Sequence, residues 1–122
     1  MFKDASETLA YIEKEEVALV DVRFCDLPGA MQHFTIPVDA FKEDALADGL
    51  MFDGSSIRGF TAIHESDMKL VPDLSSAFVD PFRARATLVV DFSIVDPFTD
   101  EPFSRDPRQV AAKAEAHLRS TG

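Results

Sequence analysis

The sequence predicts an α+β fold in which a mainly antiparallel or mixed sheet curls around a short helix. Two segments rich in alternating or β-branched apolar residues predict the principal strands, one early (17–25) and one late (86–96). Segments with apolar residues at helical spacing lie before and between these strands. The length of 122 residues allows one domain with a modest core.

The first third of the chain predicts a helix followed by a hairpin. An apolar stripe with helical spacing predicts a first helix over residues 4–14. Its apolar members are Phe2, Ala5, Leu9 and Ile12. Alternation at period two predicts a half-buried strand over 17–25, and the turn signal at 27–29 lets the chain return as a second strand over 30–36.

The middle of the chain predicts a short helix. Pro37 stops the second strand, because proline cannot donate a hydrogen bond to a sheet. Helical spacing resumes near 39–47, and Gly49 is placed as a terminating residue.

The second half of the chain predicts three strands and a turn. Two brief apolar segments, 68–71 and 77–80, predict short strands that Pro72 and Asp73 keep apart. The segment 86–96 is long enough to lie centrally in the sheet, and residues 96–102 predict a turn.

A final helix is predicted from Pro107, with Asp106 as its cap. Its apolar stripe is thin, so we expect this helix to bury little against the rest of the chain. The order of elements makes a β-grasp-like roll, with one helix before it and one after it, the simplest arrangement. Periodicity alone supports an α+β fold without singling out the roll.

Composition excludes several classes of partner. Twelve basic and 22 acidic residues give a net charge of −10, the wrong sign for nucleic acid or anionic lipid. No apolar run is long enough for a membrane span, and the first residues lack a leader pattern. The single Cys25 cannot form an internal disulfide. We therefore expect a cytoplasmic protein with no nucleic-acid or membrane partner.

The stretch 51–70 stands out because polar residues sit among apolar ones. Its tip, residues 53–56, gathers an acid and two hydroxyls about Gly54. The apolar flanks are Met51, Phe52, Ile57, Phe60 and Ile63. Such flanks predict a loop that docks onto another surface, although the tip by itself also fits an ordinary tight turn.

Other candidates for chemistry are weaker. The familiar phosphate-binding motifs are missing from the sequence, and His33, His64 and His117 do not have the spacing of a zinc site. The cluster from His64 to Asp67 offers oxygen ligands for a hard cation, but a solvated or capping cluster is the favoured interpretation. Cys25 lies on a predicted strand, which favours a small buried hydrophobe over a nucleophile.

The longer pattern resembles the amino-terminal signature of type I glutamine synthetases. Phe-Asp-Gly-Ser-Ser at 52–56 is followed after eight residues by Glu65-Ser66-Asp67 and then by Leu70. The rest of the chain is similar to this family in the same order, through VDVRFCDLPGAMQHFTIP (20–37), HESDMKLVPD (64–73), DPF (80–82) and SRDPRQVAAKAEAHLRSTG (104–122).

The resemblance implies a β-grasp domain over 1–103 and a helix over 104–122 that begins a catalytic domain. It implies the ATP-dependent formation of glutamine from glutamate and ammonia by the full enzyme. ATP and Mg²⁺ or Mn²⁺ would be held by the larger catalytic domain, so this chain alone would bind no cofactor or metal and would be inactive.

The resemblance also implies a site shared between subunits. The loop over 53–56 would close the active site of a neighbouring subunit in a homo-oligomeric ring, a dodecamer in the full enzyme. Asp53 and Ser56 would be catalytic residues of the ammonium site, and Asp67 would lie near the opening between subunits. Phe60 stands where many members carry Trp, which leaves the apolar anchor but removes the indole.

Two other functions remain open at this point. A free-standing β-grasp module that binds or regulates glutamine synthetase subunits would carry the same motifs. An acidic metal-binding domain is the third possibility, and the lack of ligand spacing argues against it.

Overall fold

A computed structural model describes residues 1–59 and 67–122. The strands are β1 (Leu19–Cys25), β2 (Met31–Pro37), β3 (Leu50–Asp53), β4 (Asp67–Val79) and β5 (Thr87–Val95). The helices are α1 (Ala5–Lys14), α2 (Glu43–Asp48) and α3 (Pro107–Ser120), with short 3₁₀ turns at Val38–Ala40 and Gly54–Ser56. No helix in these ranges is both long and apolar enough to cross a membrane.

The five strands form one mixed sheet in the order β2-β1-β5-β4-β3. β1 and β5 run parallel at its centre, and the other neighbours are antiparallel. The first hairpin and the last strand therefore meet in the middle, while β3 lies at one edge. This mixed sheet with flanking helices confirms the α+β prediction.

Alternation along the two central strands builds the core. One face of β1 contributes Val20, Val22 and Phe24, and the same face of β5 contributes alternate residues from Leu88 to Ile94. Phe41 is fully buried against Phe92, with 6.4 Å between ring centroids. Burying a side chain of this size stabilises the fold by about 1.5–3 kcal/mol, so phenylalanine supplies much of the packing.

Helix α1 begins where the sequence predicts it, but its most buried residue, Thr8, does not belong to the predicted apolar stripe. The Asp4 carboxylate accepts a hydrogen bond from Glu7 N at 2.8 Å and caps the helix. Thr8 is fully buried, and its hydroxyl is satisfied by donating to the Asp4 carbonyl at 2.8 Å. Leu9, which the predicted stripe placed in the core, is partly exposed.

The helix predicted near 39–47 is divided in two. A 3₁₀ turn at Val38–Ala40 precedes α2, and the fully buried Phe41 lies between them. Gly49 ends α2 at φ 80°, as the sequence predicts.

The prediction that residues 51–53 lie in a loop was wrong, whereas docking of this stretch onto another surface stays a prediction. These residues belong to β3, which pairs with β4 from Leu50 opposite Leu70 to Asp53 opposite Asp67. The strand spans four residues, too few for its alternation to be distinguished from the apolar flank of a loop.

The two short strands predicted at 68–71 and 77–80 are one strand, β4. Its pairing with β5 shifts register between Asp73 and Phe78. Pro72 is tolerated because β3 reaches only to Leu70, so β4 is paired on one side beyond that point. This register shift is a β-bulge, and it contains the turn-forming residues that the sequence pattern placed between two strands.

Helix α3 buries no residue, as its thin apolar stripe predicts. It is fixed at its start, where the buried Asp106 carboxylate accepts hydrogen bonds from Arg108 N at 3.0 Å and Ile94 N at 2.8 Å. Asp106 therefore caps α3, and its carboxylate also accepts a backbone hydrogen bond from β5 at a point beyond the end of β1. The division of the chain between residues 103 and 104 stays a prediction.

Candidate functional site

Two of the predicted site residues face each other at the edge of the sheet. Asp53 ends β3 and Asp67 begins β4, and their Cα atoms are direct partners in the antiparallel register. Both residues are exposed. The Cα atoms of opposed residues of this kind lie roughly 4.5–5.5 Å apart, and like charges on directly opposed residues are destabilising. A cation between or beside them would relieve this repulsion.

The latch loop, which we define as residues 53–56, is a 3₁₀ turn organised by Asp53. The Asp53 Oδ1 atom accepts hydrogen bonds from the Ser55 N–H at 2.9 Å and the Ser55 hydroxyl at 2.6 Å. Gly54 is buried at the start of the turn, and its carbonyl accepts from Ile57 N at 3.1 Å. The orientation of the Asp53 carboxylate is therefore set by the turn itself.

Ser55 is the serine that the structure connects to Asp53, whereas the sequence analysis selected Ser56. Ser56 is exposed at the end of the 3₁₀ turn. An Asp whose side chain accepts from the residue two positions on is a recognised local pattern, so the sequence did contain a signal for Ser55.

Two of the predicted apolar flanks of the latch loop pack within the domain itself. The Phe52 ring packs on Phe24 at 5.1 Å, and Ile57 packs against the core cluster. Met51 remains 58% exposed. The other predicted flanks, Phe60 and Ile63, lie outside the described residues.

Two residues from distant segments, Arg105 and Leu27, lie close to Gly59, which follows the latch loop. The Arg105 Nη1 atom donates a hydrogen bond to the Gly59 carbonyl at 3.1 Å. Gly59 has a φ of 84°, and a Cβ built there would lie 3.3 Å from the Leu27 side chain in the turn between β1 and β2. Local sequence patterns do not connect Arg105 or Leu27 with Gly59, because the three segments are distant along the chain.

Among the residues that the structure describes, the remaining candidates from the sequence give no second site. Burial raises the pKa of Cys25 above its ordinary value, and the nearby Asp26 and Asp106 carboxylates act in the same direction. Such a thiol is a poor nucleophile. The His33 Nδ1 atom lies 2.9 Å from an Asp21 oxygen. His64 and Glu65, which would complete the acidic cluster with Asp67, lie outside the described residues.

Metal ligation can be examined over residues 1–59 and 67–122. Within these ranges, no three His, Cys, Asp or Glu side chains come together in a group that could hold a metal ion. The pair of Asp53 and Asp67 by itself supplies fewer oxygen ligands than Ca²⁺ or Mg²⁺ takes.

The fold is that of a β-grasp domain, with two parallel strands at the centre of the sheet, the β1–β2 hairpin on one side and helices that flank the sheet. The domain presents a short acidic loop at the opposite edge. The chain belongs to the glutamine synthetase family, since the family model described as "Glutamine synthetase, beta-Grasp domain" matches residues 16–97.

Curated relatives agree with this assignment. The chain is 63% identical over 121 residues to a glutamine synthetase of Frankia alni and 62% identical over 122 residues to that of Streptomyces coelicolor. These alignments cover 99% and 100% of this chain but 26% and 25% of the relatives. The chain thus spans about a quarter of the length of the curated relatives it matches.

Solved structures share the fold. A Plasmodium falciparum glutamine synthetase matches with a TM-score of 0.88 at 21% identity, covering 98% of this chain and 23% of that one. A structure titled as a complex of GmaS with ADP matches with a TM-score of 0.82 at 20% identity, covering 99% and 26%. At these identities the likeness shows the fold alone.

Proposed function

We propose that this chain is the amino-terminal part of an ATP-dependent glutamate–ammonia ligase, in which Asp53, Ser56 and Asp67 form an ammonium site. The latch loop would close the active site of the neighbouring subunit in a homo-oligomeric ring, with the dodecamer as the expected size. The observation that carries the proposal is the pairing of Asp53 with Asp67 at an exposed edge, in a chain that belongs to the glutamine synthetase family.

The chemistry required at this edge is the capture and deprotonation of ammonium. Two opposed carboxylates attract a monovalent cation, and closure by a neighbouring subunit would strengthen the attraction by excluding water. Asp53 would accept one proton from ammonium, which leaves neutral ammonia to attack the γ-glutamyl phosphate. Ser55 keeps the Asp53 carboxylate oriented, and the Ser56 hydroxyl would accept a hydrogen bond from the cation.

ATP and Mg²⁺ or Mn²⁺ are not assigned to this chain. The described residues offer no group of ligands that fits a divalent metal. We place both cofactors in the part of the longer relatives that this chain does not span, and no step described here passes through them. The cytoplasmic location also stays a prediction.

A chimeric enzyme tests the role of Asp53. The segment of the Streptomyces coelicolor glutamine synthetase that aligns with this chain, at 62% identity over 122 residues, is replaced by this chain. Asp53→Asn should lower ammonium-dependent synthesis by about 10²–10⁴-fold, because the amide cannot take the proton. ATP binding, measured by equilibrium dialysis, should be unchanged.

The matched control is Asp48→Asn, which makes the same change at an exposed residue ending α2. It should leave the kinetics unchanged. Asp67→Asn should raise the KM for ammonium with little change in kcat, because Asp67 attracts the cation without accepting its proton. Wild-type ammonium kinetics in the Asp53→Asn chimera would count against the proposal.

A further inference from the structure

A groove of about 640 Å³ lies between α1 and the segment that runs from the first 3₁₀ turn into α2. Its volume is in the range of built ligand sites, about 300–1,000 Å³. None of the residues proposed for the ammonium site lines it. The groove is therefore a separate feature of the domain, on the helical side of the sheet.

The floor of the groove is apolar. It is formed by Leu9, Ile12, Val38 and Phe41. Phe41 is fully buried, whereas Leu9 is partly exposed although the sequence stripe placed it in the core. The turn of α1 that buries Thr8 thus directs Leu9 to the groove.

The rim of the groove is acidic. Its charged members are Glu13, Asp39, Lys42, Glu43 and Asp44, which leaves three negative charges in excess. Lys42 lies 3.8 Å from Asp39, but their side chains are 68% and 88% exposed, so this ion pair neutralises little. A lining that combines four apolar side chains with an excess of acidic ones fits an occupant that carries both positive charge and apolar side chains.

We infer that this groove binds a cationic amphipathic helix from a partner protein. Apolar side chains one helical turn apart would rest on Leu9 and Ile12, and flanking Lys or Arg residues would meet the rim. Charge complementarity selects this occupant, because an acidic or neutral helix would leave the rim carboxylates crowded and partly desolvated. The inference does not depend on the ammonium site.

Peptide binding tests the inference. The probe is a fluorescent synthetic helix with leucine on one face and arginine and alanine elsewhere, titrated with the complete chain at physiological ionic strength. Saturable binding is expected. Leu9→Asp should weaken it by about tenfold or more, although it adds negative charge, because it removes the apolar floor. Attraction by charge alone predicts tighter binding for this variant.

A variant at the rim tests the inference even if Leu9→Asp fails to fold. Asp39→Lys changes an exposed side chain and should also weaken binding by about tenfold. The matched control is Glu101→Lys, the same charge change at an exposed turn residue outside the groove, which should bind like the wild type.

Three results of the peptide titrations would overturn the inference. They are the lack of saturable binding, equal or tighter binding by Leu9→Asp, and equal weakening by Glu101→Lys and Asp39→Lys. Concentration-dependent self-association that is abolished by Leu9→Asp, measured by sedimentation without peptide, would also overturn it by making a second copy of the chain the occupant.

Discussion

Asp21 is a fully buried carboxylate on the sheet face opposite the core. It accepts hydrogen bonds from Arg23 Nε at 2.9 Å and Thr35 Oγ1 at 3.1 Å, and it lies 2.9 Å from His33 Nδ1 and 3.6 Å from Arg83. Burial alone would raise the pKa of Asp21, but the hydrogen bonds from these partners outweigh it and hold the pKa below its ordinary value.

Because its pKa is lowered in the folded state, Asp21 should stabilise the protein above its unfolded pKa of about 3.9. This contribution is lost as the pH falls through the lower folded value. Asp21→Asn should reduce the free energy of unfolding by about 1–3 kcal/mol near neutral pH, and less below about pH 4. Urea unfolding over this pH range measures the difference.

The control for Asp21 is Asp39→Asn, whose side chain is 88% exposed. It should change the free energy of unfolding by no more than about 0.5 kcal/mol at any of these pH values. A destabilisation by Asp21→Asn that does not diminish on acidification would contradict the role given to the Asp21 charge.

Gly49 is a second residue whose local geometry fixes a larger feature. It has a φ of 80°, and a Cβ built there would lie 2.5 Å from the Leu70 carbonyl oxygen of β4. Gly49→Ala should therefore cost about 1–3 kcal/mol through strain and displacement of β3. Gly29→Ala, at φ 96° with nothing within 4 Å of its Cβ, should show the strain without the clash.

Urea unfolding of the two glycine variants separates these effects. Gly49→Ala should be the less stable of the two, and amide exchange in β3 should increase only in that variant. Equal stability of the two variants would show that the approach of Gly49 to β4 does not matter.

At the scale of elements, polar contacts of Asp106, Arg108 and Gln109 hold the start of α3 to the sheet, and Asp106 is the buried member of this group. Asp106 caps the helix and accepts from the Ile94 N–H of β5. Burial raises the pKa of Asp106, although the hydrogen bonds from Ile94 and Arg108 oppose this effect. The helix itself buries no residue, so the loss of this contact cannot be offset by packing.

Asp106→Ala should lower the free energy of unfolding by about 2–4 kcal/mol, since it removes a cap and leaves the Ile94 N–H without its acceptor. Asp106→Asn keeps one acceptor oxygen and should cost less. Because the pKa of Asp106 is raised in the folded state, acidification through that value should relieve the cost of the buried charge in the wild type. Hydrogen exchange at Ile94 and along α3 provides the measurement, and unchanged exchange in Asp106→Ala would contradict this role.

At the scale of the whole molecule, the strands that pack on the core were predicted from the sequence. Burial on a sheet produces the alternation of β1 and the β-branched run of β5. Both patterns are local, so these strands can be predicted from the sequence. The edge strand β3 and the continuity of β4 were not predicted. β3 has only four residues, and the bulge in β4 allows Pro72 in a single strand, so both depend on pairing between distant segments.

The candidate site was predicted in part for the same reason. The motif identified Asp53 and Asp67, and the structure places them opposite each other. The hydrogen bond from Ser55 to Asp53 arises from turn geometry, and the one from Arg105 to Gly59 arises from a tertiary contact. The motif therefore did not predict either bond. The resemblance carried the chemical assignment, which stays a prediction.

The most direct test of the central claim is whether Asp53 completes the site of a neighbouring subunit. Chimeric subunits with Asp53→Asn are assembled with subunits whose Asp53 is intact but whose catalytic part is inactivated. In a head-to-tail ring with random mixing at equal amounts, about a quarter of the sites would receive both intact parts. We predict recovery of ammonium-dependent synthesis near this fraction. Activity of the mixed rings no greater than that of the separate variants would contradict the account.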